Sequence, residues 1–159
     1  MGNCGVGFAP CRPEDHDTLV DVMAGVEDIP PGVVMVDGLP WTWETFPPEF
    51  LDALDSRQRD IDVAAFLPHS PPLRVYVMGE RGVNRELPTP EDLAMMRKLA
   101  EEAIRAGALG GFASSRLTLH KKTSGGQPIP SYEAQYEEIE RSPEVSTTPA
   151  ADFCSSCRI

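Results

Sequence analysis

Residues 61–67 read IDVAAFL, an almost unbroken apolar run that stops at Pro68-His69-Ser70. A strand with one wet face alternates apolar and polar side chains, whereas a strand covered on both faces does not. The run therefore predicts a central parallel strand with helices packed on either side. Its neighbours fit that layering. Val75-Tyr76-Val77-Met78, ending at Gly79, reads as a second short strand or the extended part of a loop. Residues 108–114, ALGGFAS, carry a third strand signal, and Val33 to Val36 a fourth.

Helical patterns fall between these runs. Residues 13–25 combine Pro13 in a first turn with Glu14 and Asp15 at the positive end, and Leu19, Val22, Met23 and Val26 form a stripe. Gly25 and then Pro30-Pro31 read as its stop. Residues 48–57 make a short helix with Phe50, Leu51 and Leu54 on one side. The clearest helix spans 90–106. Thr89 caps it, Pro90 opens it, Asp92 completes a box-like pattern, and Gly107 ends it. Leu93, Met96, Ala100 and Ala103 define its apolar face. Ser131 reads as the cap of a last helix through Ile139. Helices alternating with doubly covered strands predict an α/β fold, most simply with a parallel sheet.

With 16 prolines and 13 glycines among 159 residues, much of the chain is turn and loop. Residues 31–48 form a proline-rimmed stretch in which Trp41, Trp43 and Phe46 pack a loop onto the body or line a pocket. Fourteen basic against 25 acidic residues leave a net charge of −11. That balance disfavours nucleic acid and anionic membrane surfaces as partners. No run of 18 apolar residues offers a spanning helix, and residues 1–9 lack a secretory pattern, so the expected compartment is the cytoplasm.

In parallel α/β folds ligands gather beyond the carboxyl ends of strands. Three places qualify. Cys4 stands in Gly2-Asn3-Cys4-Gly5, where flanking glycines permit a tight turn and leave the sulfur open to a metal. His69 follows the 61–67 run, and Arg74 five residues on has the planar fork of a carboxylate clamp. Ser114-Ser115-Arg116 follows the third strand signal. Cys154 and Cys157 form one CxxC with no second pair, a weak metal or redox signal.

GNCGVGFAPCRP at 2–13, LPHSPPLRVYVMG at 67–79 and EEAIRAGALGGFASSRLTLH at 101–120 together resemble the N-acyl-D-amino-acid deacylases (D-aminoacylases) of the amidohydrolase superfamily. The resemblance runs to about residue 140. It implies a partial (β/α)8 barrel of the TIM type, covering about strands 2–4, over residues 1–141. Residues 142–159 are then an unrelated, disordered tail. It implies zinc-dependent hydrolysis of the amide of small-molecule N-acyl amino acids in a full-length relative. Cys4 matches the metal-binding cysteine. His69 and Arg74 match residues expected to line the pocket or support it. The family's His-x-His pair, its two further histidines and its aspartate base are not in this sequence. The implied zinc site is thus incomplete, no catalytic residue is assigned, and an inactive internal fragment is expected. The doublets Pro47-Pro48, Pro71-Pro72, Gly110-Gly111 and Lys121-Lys122 look inserted against the family pattern. The alternative expectation is a non-catalytic α/β binding domain or the product of a decayed gene.

Overall fold

The computed structural model describes residues 5–27, 30, 49–56, 58, 60–109, 112–113, 122–135 and 137–138. Helix dominates these residues. A 3-10 turn at Pro13–Asp15 leads into α1, His16–Glu27. A short helix α2 covers Leu51–Asp55. Leu67–Pro68 forms β1, and a tight helical turn at His69–Leu73 connects it to α3, Arg74–Met78. Then come α4, Glu80–Val83, the long α5, Pro90–Arg105, and β2, Phe112–Ala113.

The expected α/β barrel layer is not what forms. Among the described residues the only sheet is β1 beside β2, two residues each, parallel, with Leu67 opposite Phe112 and Pro68 opposite Ala113. The IDVAAFL run is no central strand. Ile61 is 75% exposed, and only Ala65 and Leu67 of the run are fully buried. The amide of Leu109 donates to Ala65 O at 2.8 Å, so one extra bond extends the pairing backwards. Val75 to Met78 is helix, not strand. β-propensity is largely fit to a half-buried pleated surface. Among the described residues only the two-residue β2 lies beside the run, so that surface is small, and Ala65 and Leu67 join a core with Met96, Ala100 and Ala103 of α5. Residues 31–48 and 114–121, with Val33 to Val36 and the three aromatics, lie outside the described residues, as do residues 142–159.

The helix α5 follows its sequence closely. Asp92 N donates to Thr89 Oγ1 at 3.2 Å and Thr89 N donates to Asp92 Oδ2 at 2.8 Å, a complete capping box. Pro90 occupies the first turn. Gly107, at φ +106, ends the helix where a side chain would be strained. Met96, Ala100 and Ala103 face a core that includes Phe50, Ala65, Leu67, Leu73 and Met78. A second core joins Leu19, Val20, Val22 and Met23 of α1 to Val6, Cys11 and Ile129. Phe8 touches both.

Gly25 plays a different part from the one its position suggests. It lies inside α1, which continues to Glu27. The backbone of residues 122–124 crosses directly over it, and a Cβ there would stand 2.1 Å from Lys122 O. Ser124 N donates to Asp21 O at 3.1 Å, and the Ser124 hydroxyl donates to the Asp21 carboxylate. A small hairpin, bridged antiparallel between Lys122 and Pro128, is thereby fastened to α1.

A buried His69–Glu138–Arg74 cluster

The turn His69–Leu73 places the site. Ser70 precedes Pro71, and a residue before proline is pushed out of the helical region. Ser70 accordingly sits extended, at φ −118 and ψ 137, in the middle of the turn. His69 and Arg74 flank that kink. Ser70 N donates to Gly5 O at 2.8 Å, which ties the kink to the N-terminal segment. On the other side Ser131 N donates to Ser70 Oγ at 3.1 Å. Gly82 packs against the Arg74 backbone so closely that a Cβ would meet Arg74 O at 2.8 Å.

His69 and Arg74 converge on one carboxylate. His69 Nε2 lies 2.6 Å from Glu138 Oε1. Arg74 NH1 straddles both oxygens, donating to Oε2 at 3.1 Å and to Oε1 at 3.3 Å. Arg74 NH2 donates to the carbonyl of Glu86. His69 is 0% exposed, Arg74 2% and Glu138 3%. Burial lowers the pKa of the Arg74 guanidinium, Glu138 opposes that shift, and Arg85 adds to it. An arginine remains charged even so. A buried cation needs a buried counter-ion, and Glu138 supplies it. Two buried polar atoms, Arg74 Nε and Ser131 Oγ, have no hydrogen-bond partner among the described residues.

The sequence singled out His69 and Arg74, and the structure brings them together. It missed Glu138, which lies in the acidic stretch YEEIE and reads locally as a wet helix face. It misread Ser131, which is 0% exposed within a turn at 130–133, so no helix starts there, and Glu137 and Glu138 are the helical residues described beyond it. The only available signal was indirect: an arginine behind apolar Leu73 and before apolar Val75 demands an acid from elsewhere.

The zinc expectation rests on Cys4, which lies outside the described residues. Among the described residues no group of three or more His, Cys, Asp or Glu side chains could hold a metal ion. His69 Nε2 faces Glu138. Burial pushes the Cys11 thiol up to about 12, with Asp15 and Glu14 adding to it, so in this environment it is a protonated thiol. Cys4, Ser114-Ser115-Arg116 and the Cys154/Cys157 pair lie outside the described residues. No helix among the described residues is long and apolar enough to cross a membrane.

Comparison with known proteins adds a distant relationship. No family model matches the chain, and no solved structure matches it. Uncharacterized proteins of Mycobacterium tuberculosis and Mycobacterium bovis are each 35% identical over 115 residues, covering 69% of this chain and 18% of the relative. The D-aminoacylase of Alcaligenes xylosoxydans xylosoxydans is 32% identical over 109 residues, covering 69% of this chain and 19% of that enzyme. The chain thus spans less than a fifth of the length of the relatives it matches. It is a partial and distant homologue of D-aminoacylase-like proteins, at the level of the amidohydrolase superfamily.

Proposed function

We propose that this chain is a non-catalytic segment of a D-aminoacylase-like hydrolase, with a structural rather than a chemical role for its buried polar cluster. One observation carries the reading. The His69 imidazole and the Glu138 carboxylate, the acid–base pair at the cluster's centre, are closed to solvent and engaged with each other. A general acid or base must come within hydrogen-bond reach of the substrate proton it moves. Here the imidazole Nε2 and both carboxylate oxygens are already occupied inside the protein.

Hydrolysis of N-acyl amino acids belongs, on this reading, to a longer chain that carries the remaining parts of such an enzyme. The purified 159-residue chain is tested with N-acetyl-D-amino acids, with and without added divalent metal, by detection of released amine. The expected result is release no faster than in buffer. Turnover that disappears in His69→Ala or Glu138→Gln would overturn the reading.

A further inference from the structure

Glu138 is held in its place as a ligand is held. Its carboxylate meets two cationic or proton-donating groups from one short turn, His69 Nε2 at 2.6 Å and Arg74 NH1 at 3.1 and 3.3 Å. Arg74 and the turn that carries both groups have further anchors besides it. Arg74 is anchored by the Glu86 carbonyl and by Gly82 packed on its backbone. The turn itself is fixed by the bond from Ser70 N to Gly5 O. The carboxylate, by contrast, arrives from 64 to 69 residues away.

Of the segment that delivers it, residues 129–135 are turns and extended links, and Glu137 and Glu138 are helical. Tyr132 N bonds to Ile129 O, Ala134 N to Ser131 O, and Glu138 N to Gln135 O. Ile129, Ser131 and Ala134 are buried and anchor that segment upstream of Glu138. Arg74 also carries a buried donor that Glu138 does not reach, on the guanidinium edge beside NH2. Arg74 Nε is buried without a hydrogen-bond partner among the described residues. A guanidinium presents such donors as a fork that fits a carboxylate edge.

We propose that His69 and Arg74 form a receptor for a small carboxylate, and that Glu138 is its internal occupant, tethered downstream of the buried residues Ile129, Ser131 and Ala134. The ligand class is a short monocarboxylate, acetate or the carboxylate end of an acyl or amino acid. The tethered occupant is at high effective concentration, so a free carboxylate competes poorly in the intact chain. The inference goes beyond the non-catalytic reading, since it concerns binding, and turnover would neither support nor sink it.

The test is chemical rescue in the full chain. Glu138→Ala removes the carboxylate and the carbon that bears it, leaving a space that acetate matches. Sodium acetate is titrated against sodium chloride at equal ionic strength, and thermal unfolding is followed by circular dichroism. Acetate at about ten times its Kd is expected to raise the midpoint of Glu138→Ala by about 3–6 °C. The intact chain and Glu138→Gln, whose amide still fills the cradle, are expected to show no acetate-specific shift. Should Glu138→Ala be unfolded in chloride, acetate must restore helical ellipticity. An equal response of Glu138→Ala to both salts, or an equal acetate response of Glu138→Gln, would overturn the proposal.

Discussion

His69 Nε2 and Glu138 Oε1 lie 2.6 Å apart across 69 residues of sequence, with both side chains fully buried. The contact couples the kinked turn after β1 to the last described stretch of the chain. Arg74 makes it a three-part network in which the carboxylate balances a cation that has nowhere else to turn. Removing one partner of such a buried network costs far more than the network contributes against an apolar substitute.

Glu138→Gln keeps the shape of the side chain and removes its charge, leaving the Arg74 cation buried and unbalanced. We expect a loss of about 3–5 kcal/mol in urea unfolding. The double variant with His69→Ala should fall short of the sum of the single losses by about 0.5–3 kcal/mol, as for residues within one network. A Glu138→Gln variant as stable as the intact chain would show that the charge is not needed.

Gly25→Ala sets two effects against each other. Alanine favours helix over glycine by about 1 kcal/mol. Its Cβ would stand 2.1 Å from Lys122 O and 2.3 Å from Thr123 C, a backbone clash that no rotamer relieves. Overpacking of this kind costs about 1–3 kcal/mol, so the variant should be the less stable one. A rise in the urea midpoint would mean that the 122–128 hairpin does not rest on α1.

The capping box at α5 makes part of the stability acid-sensitive. Burial works against ionisation of Asp92, but the Thr89 amide, the Arg81 guanidinium at 2.9 Å and the Thr89 hydroxyl together hold its pKa below the ordinary 3.8. A carboxyl depressed in the folded state stabilises fully above its unfolded pKa and loses that contribution as pH falls through the folded value. The intact chain should therefore lose more stability than Asp92→Asn between pH 5 and the acid limit, in parallel urea titrations. Identical pH profiles would contradict the assignment.

Cys11 should be inert while the chain is folded. It is 5% exposed, its thiol is pushed up to about 12, and Sγ lies 3.5 Å from Arg12 O. Thiolate is the reacting species, so iodoacetamide at pH 8 should leave Cys11 unlabelled in peptide maps until urea unfolds the chain. Rapid native labelling at Cys11 would show that the α1 core opens easily.

What could be read from sequence was what is local. The helix α5 announces itself by Thr89, Pro90, Asp92 and Gly107, all within one turn of an end. His69 and Arg74 were recognisable by type and by their place after an apolar run. The sheet was not legible, because IDVAAFL and VYVM are apolar runs whose partners decide what they become. One joins the two-residue sheet only at its end, with Ile61 exposed, and the other is helix behind a Pro71-Pro72 turn. Glu138 was hidden for the same reason on a longer scale. Nothing near it in the chain shows that its carboxylate leaves the acidic stretch to meet a cation 64 residues away.

The closed state of the cluster can be measured on one side chain. Diethyl pyrocarbonate modifies accessible imidazole, and peptide mapping by mass spectrometry reads His16 and His69 separately. His16 on α1 is partly exposed and His69 is 0% exposed. In the native chain His16 should react while His69 stays unmodified, and His69 should become reactive in Glu138→Ala. Modification of native His69 at the rate found in the urea-unfolded chain would contradict a closed His69–Glu138–Arg74 cluster, and with it the non-catalytic reading.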